Sequence, residues 1–327
     1  MQSPSSSQSH NPDMNSQELA LARLVRGWTK IHVILLVVAY FWLVIRAAPE
    51  LAALLEAAVF FPVGILGAII ANSTGTGGGV VFVPVFAVFE IEPSRSVAMS
   101  FVIQCFGMSV GSLIWLNAFF VSGKIKLAEK MEAHALAGIV FSVLCGCIPS
   151  LLITQQILSD EVDQRQLLTL FKIFSIILGM VLLVFTVARD RFKPKKYRYH
   201  ANSFDSGLLF LIGIGGGVVT AFFSVGVGEF LALYLIFRGF PTISSVVAAV
   251  WVSIVTVFCG VWQHLFSGVI DGLWPAVLLA VPGAMAGGYV ARIFAALLGA
   301  ERLKLFAALW ITLSAAYLLL PVVFMHG

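Results

Sequence analysis

The chain has 327 residues, of which 60% are hydrophobic and only 11% charged, and its net charge is +4. Soluble domains average roughly 45–50% apolar and about 25% charged. The composition therefore excludes an ordinary soluble enzyme, a disordered chain and a nucleic-acid binder, and it fits an all-α polytopic membrane protein embedded in a lipid bilayer.

In chain order, the Ser-, Gln- and Asn-rich start reads as a disordered cytoplasmic tail over 1–30. The apolar run at 31–46 follows Arg23, Arg26 and Lys30, lacks an A-x-A-like site and ends in Arg46. It reads as an uncleaved extra N-terminal transmembrane helix. Further apolar stretches lie at 57–72, 80–89, 96–121, 134–154, 167–188, 206–223, 229–237, 244–266, 274–291 and 305–323. A crossing takes about 17–25 residues. The stretches 80–89 and 229–237 are too short for that, because a ten-residue helix reaches only about 15 Å, half of a ~30 Å hydrocarbon core. Each follows a segment that ends in a Gly-rich break. The regions 57–89 and 206–237 are therefore expected to be re-entrant hairpins, the first entering from outside and the second from inside.

Basic residues set the orientation. The loop RDRFKPKKYR at 189–198 goes inside. Counting crossings from it puts 122–133 and 292–304 inside, and 90–95, 155–166 and 266–273 outside. The N-terminus is then cytoplasmic and the C-terminus lies on the far side. All basic residues except Arg46, Arg95, Arg165 and Lys172 fall inside.

The chain divides into two matching halves, 55–188 and 205–325, joined by the basic linker 189–204. Each half has a Gly-rich break, a short apolar helix, a loop with a proline (Pro93, Pro241), a long helix ending in SGxI (122–125, 267–270) and two more helices. One hairpin plus three crossings is an odd count, so the second repeat is inverted relative to the first.

Inverted repeats with interrupted helices are a transporter signature. Non-helical backbone at membrane depth is tolerated only where protein buries it or where it lines a cavity. Both breaks precede their short helices, so the helix N-termini face the midplane. Free N–H groups and a partial positive charge there favour an anion. Gly75, Gly77, Gly78 and Gly79, with Gly226 and Gly228 in the second break, let backbone approach a ligand closely. Asn72, Ser73, Thr74, Thr76 and Ser224 flank the breaks, and the following helices add Ser100, Gln104, Ser253 and Thr256. Lys172 lies only about two turns into its helix, from which it can snorkel outward. The anion would thus be held mainly by N–H and hydroxyl donors. Glycine also serves close packing of membrane helices, but the recurrence of breaks before half-length helices favours a site. Glu229 is the acidic residue at mid-depth. Two roles stand open for it: carrying a coupling proton, or capping the short helix. Ionised, it repels an anion, and its protonation would promote binding. His134 and His264 read as interfacial, the tryptophans mostly as interface anchors, and the four cysteines (105, 145, 147 and 259) as buried free thiols. No metal or cofactor set is expected.

The motifs GTGGGVVFVP (75–84) with SRSVAMS (94–100), and GVGEFLALYL (226–235) with VVAA (246–249), resemble the TauE/SafE sulfite exporter family over about 55–323. The resemblance implies a bacterial inner-membrane carrier of sulfite, sulfonates such as sulfoacetate, or related anions, working without ATP. This chain departs from it in three ways. Glu229 stands where the first motif has Gly78, Leu235 stands where the first has Pro84, and the N-terminal segment is extra. An intramembrane enzyme is disfavoured, since no GxSG or paired-Asp pattern occurs. Carriage of another small anion such as a carboxylate, or a non-transporting scaffold, are the rival readings. A homodimer is left open.

Overall fold

The computed structural model describes residues 16–121, 125, 130–161, 164–187 and 197–324, and the described residues contain no strand. The helices are α1 (Ser16–Ala47), α2 (Leu51–Glu56), α3 (Phe60–Thr74), α4 (Gly79–Val88), α5 (Pro93–Phe120), α6 (Ala133–Glu161), α7 (Gln164–Val187), α8 (Ser203–Phe223), α9 (Val227–Phe237), α10 (Thr242–Phe266) and α11 (Trp274–Phe324). A 3-10 turn, Ala57–Val59, joins α2 to α3. Among the described residues, seven segments are long and apolar enough to cross a membrane. The chain is a multi-pass membrane protein.

The two stretches too short to cross are helices α4 and α9, of 10 and 11 residues. Elsewhere helix extends further than hydropathy alone indicates. Helix α1 begins at Ser16, so 16–30 is helical rather than tail, and 1–15 lie outside the described residues. Most of the loop expected at 155–166 is helical too, because α6 runs to Glu161 and α7 starts at Gln164. Helix α11 passes straight through 292–304, where a loop was expected. That segment, RIFAALLGAERLK, has no proline and is rich in Ala, Leu, Arg, Glu and Lys, which favour helix despite Gly299, so charge alone does not interrupt it. Lys124, Lys126 and the basic residues of 189–196 lie outside the described residues.

Helices α5 and α10 form the centre. Their apolar windows are 89% and 72% buried, against 11% for α1. Helix α1 lies at the periphery with Leu24, Ile34, Val38 and Phe41 exposed, and it is tied on where Tyr40 Oη donates to the Leu278 carbonyl at 3.1 Å.

Two close helix contacts carry the segments that lead into the breaks. Helix α3 lies against α11 so tightly that a Cβ on Gly64 would sit 2.1 Å from the Ala280 carbonyl oxygen. Helix α8 lies against α6 likewise, with a Cβ on Gly213 falling 2.1 Å from the Val143 carbonyl oxygen. Small residues permit this backbone approach where no water competes.

Polar ties hold the ends. The fully buried Asp205, in the first turn of α8, accepts from Tyr234 Oη (2.7 Å) and Arg238 Nε (2.9 Å) on one oxygen, and from Arg198 (2.8 Å) and the Asn202 N–H (3.1 Å) on the other. Asn202 Oδ1 accepts the Asp205 N–H in return, which completes a capping box. One carboxylate thus joins the linker, the start of α8 and the end of α9. At the start of α5, Arg95 donates to the carbonyls of Val269 and Asp271, clasping the turn before α11.

Candidate functional site

The first break opens where α3 stops at Gly75, whose φ of +81° is a left-handed conformation that glycine adopts without strain. Thr76, Gly77 and Gly78 follow before α4 begins at Gly79. The second opens at Ser224 (φ +59°) and passes through Gly226 (φ +140°) into α9. Every residue of 71–84 and 223–229 is buried. The breaks touch each other. A Cβ on Gly79 would lie 2.6 Å from the Phe223 carbonyl oxygen, and one on Gly228 would lie 2.4 Å from that of Gly75.

The N–H groups that a broken helix leaves free must find acceptors when buried. Two side chains provide them. Glu229, in the first turn of α9, places Oε1 2.8 Å from the Gly77 nitrogen and Oε2 2.8 Å from the Gly226 nitrogen. Its carboxylate therefore accepts one N–H from each break. Gln104 on α5 accepts the Gly78 N–H on Oε1 at 2.7 Å. Its Nε2 donates to Ser100 Oγ (2.9 Å), to Ser224 Oγ (2.7 Å) and to the Ser224 carbonyl (3.2 Å). Capping by Glu229 is thus present, and it spans both breaks rather than α9 alone.

The remaining expected site residues divide. Ser100 and Ser224 meet at Gln104, each accepting a bond and each keeping its own O–H to donate. Ser253 Oγ, on α10, is 4% exposed and has no hydrogen-bond partner. It faces the first turn of α9, 2.3 Å from where a Cβ on Gly228 would be. Ser73 and Thr74 turn away, donating to carbonyls of their own helix at Ile69 and Ile70. Thr74 Oγ1 also meets Thr76 Oγ1 at 2.7 Å and accepts the Thr76 N–H. Thr256 donates to Val252 and lies 3.3 Å from Cys147 Sγ.

Several side chains depart from their sequence reading. Trp115 is not an interface anchor. It is buried, and its Nε1 donates to the Asn72 carbonyl at 2.7 Å, satisfying a carbonyl in the last turn of α3. Its place near the end of an apolar run gave no signal of that. His264 is not simply interfacial, because its Nε2 lies 3.1 Å from Gln155 Nε2 and its ring lies against Phe101. Lys172 is only 7% exposed, so protein rather than lipid covers its stem. Cys105 and Cys147 are buried, whereas Cys145 is exposed. His134 is exposed and pairs with Glu132 at 3.2 Å, as an interfacial residue would.

Chemically, the crossing point holds both oxygens of one carboxyl group, that of Glu229, on N–H groups from two helix breaks. The family model described as Sulfite exporter TauE/SafE matches residues 59–318, and the chain belongs to that family. No curated protein and no solved structure matches it.

Proposed function

We propose that this member of the TauE/SafE family is a secondary carrier, working as an exporter, of small sulfur-containing anions such as sulfite or organosulfonates like sulfoacetate. The anion binds where the two breaks cross, between the N-termini of α4 and α9. One observation carries the reading: N–H groups from both breaks converge on the two oxygens of a single carboxylate. Such a seat is built for an oxyanion. The wider frame is two inverted repeats, 55–188 and 205–325, each opening with a broken re-entrant hairpin; three crossings follow in the first, and in the second the last two expected crossings lie within the one helix α11. They lie in a bacterial inner membrane with the N-terminus cytoplasmic and the C-terminus periplasmic. Gly75, Gly77, Gly78, Gly79, Thr76, Gly226 and Gly228 supply or permit the backbone donors, and Ser100, Gln104, Ser224 and Ser253 supply side chains around them, while Ser73 and Thr74 steady the end of α3.

Glu229 couples the cycle to protons in this reading. Ionised, it holds the donors itself and repels a second anion. Protonated, it loses its charge and its strength as an acceptor, so acid favours anion entry. Helices α8 and α10 pack on α9, and the charged cluster of Asp205, Arg198 and Arg238 sits at the far end of α9 from Glu229.

The test is flux in proteoliposomes loaded with sulfite, sulfoacetate, isethionate, thiosulfate or sulfate, with and without a pH gradient. Saturable efflux of one of these, changed by the gradient and lost in Gly77→Leu, is the expected result. Glu229→Gln should flatten the pH profile, and an unchanged profile would leave capping as its sole role. The seated carboxylate also favours a second reading, carriage of a small carboxylate. Acetate and lactate belong in the same panel, and their efflux in place of the sulfur anions would select it.

A further inference from the structure

The Glu229 carboxylate sits on the donors that an anion needs. Each of its oxygens takes one N–H, Gly77 on Oε1 and Gly226 on Oε2, both at 2.8 Å. A carboxylate offers two oxygens on one carbon, much as sulfite or a sulfonate offers oxygens on one sulfur. An N–H can serve only one strong acceptor well at a time. The carboxylate and a cargo anion cannot both hold these two donors, and their like charges oppose sharing the space.

A second feature points to a ligand other than Glu229. Ser253 Oγ is buried and unpartnered, and it is aimed at the first turn of α9 beside Gly228. A buried hydroxyl without a partner is disfavoured in a finished structure. The other polar side chains around the breaks have partners: Gln104 bonds Gly78, Ser100 and Ser224, the two serines as acceptors, and Thr256 bonds Val252. The carboxylate of Glu229 is spent on Gly77 and Gly226. Ser253 is thus a hydroxyl that the self-occupied site leaves without a bond in either role.

We propose that Glu229 is a tethered stand-in for the cargo: its carboxylate fills the anion seat in this state, and the cargo oxyanion displaces it to take the Gly77 and Gly226 N–H groups together with a third bond, from Ser253 Oγ, that Glu229 does not receive. The inference rests on the carrier reading above and deepens it. It assigns the cargo at least three acceptor oxygens or lone-pair positions about one centre, which suits sulfite and sulfonates. It also makes Ser253 a cargo-binding residue rather than a packing one.

The experiment measures anion binding by purified wild-type, Ser253→Ala, Glu229→Gln and Glu229→Ala proteins in lipid nanodiscs, by titration with sodium sulfite, with sodium acetate and with sodium chloride as control. Ser253→Ala breaks no hydrogen bond in the protein, so it should unfold at the wild-type temperature while binding sulfite about tenfold more weakly. Glu229→Gln and Glu229→Ala should bind sulfite at least tenfold more tightly than wild type. Glu229→Ala should also be stabilised by acetate, which refills the seat, while wild type ignores acetate. If Glu229→Ala does not fold, Glu229→Gln and Ser253→Ala still decide. Wild-type sulfite affinity in Ser253→Ala, or no gain in either folded Glu229 variant, overturns the proposal even when wild-type vesicles move sulfite. If wild type moves no sulfur anion, the carrier reading fails instead, and acetate binding confined to Glu229→Ala still supports the stand-in.

Discussion

Replacing Gly228 with alanine tests whether the two breaks are in contact. The added Cβ would lie 2.3 Å from Ser253 Oγ and 2.4 Å from the Gly75 carbonyl oxygen, where real Cβ contacts essentially never fall below 3.0 Å. The serine hydroxyl can rotate away. The carbonyl belongs to the backbone of the opposite break, which must retreat by about half an ångström, and the Gly77 bond to Glu229 sits on that same backbone. Forced overpacking of this kind costs about 1–3 kcal/mol. Gly228→Ala should therefore lower the unfolding temperature of the purified protein and reduce anion flux in vesicles. The double variant Gly228→Ala, Ser253→Ala removes the hydroxyl but not the carbonyl, so it should recover only part of the lost stability. Gly138→Ala is the control. Nothing lies within 4 Å of its Cβ, and alanine in a helix interior is favoured over glycine by up to about 1 kcal/mol. If Gly228→Ala unfolds at or above the wild-type temperature with wild-type flux, the crossing of the breaks is not as described.

Three further outcomes are expected. Trp115→Phe removes the indole donor to the Asn72 carbonyl and leaves it buried and unpaired, which should destabilise the protein by about 1–3 kcal/mol in thermal or denaturant unfolding; unchanged stability would mean that another donor reaches that carbonyl. Asp205→Ala deletes the acceptor for Tyr234, Arg198 and Arg238 and should cost about 2–3 kcal/mol, with Asp205→Asn losing less because the amide keeps one acceptor oxygen; equal stability of all three proteins would discount the cluster. A cysteine at the exposed position 203 should react with a membrane-impermeant maleimide only from the cytoplasmic side, and labelling of intact cells from outside would invert the orientation.

What the sequence disclosed and what it hid follow from range. The breaks were legible because their causes are local: glycine runs, and apolar stretches half as long as a bilayer is thick. The polar groups beside them were legible as candidates for the same reason. Their use was not. Glu229 reaches Gly77 across 152 residues of chain, and no spacing rule reports that a residue placed to cap one helix caps two breaks. Trp115 was misread for a related reason, because position within an apolar run gives depth along a helix but not which face turns inward. The long α11 went unseen because hydropathy dips at Arg292, Arg302 and Lys304, while helix propensity across them does not.

The departure of the second motif from the first gains a physical reason from the site. In the first break Gly78 has no side chain, and its N–H is satisfied from outside by Gln104 on the next long helix. In the second, the matched position is Glu229, which takes the Gly226 N–H from within and the Gly77 N–H of the first break besides, and the facing long helix offers the shorter Ser253. One half places its acceptor on the neighbouring helix, the other on the broken helix itself. Gln104 is neutral and cannot trade its charge state. Glu229 is the acidic partner and can. Under the carrier reading, the asymmetry puts the movable, titratable cap on α9 and the fixed one on α5. The cap that can let go is then on the second break, while Gln104, which holds Gly78 of the first break and Ser224 of the second, keeps its bonds as the fixed wall.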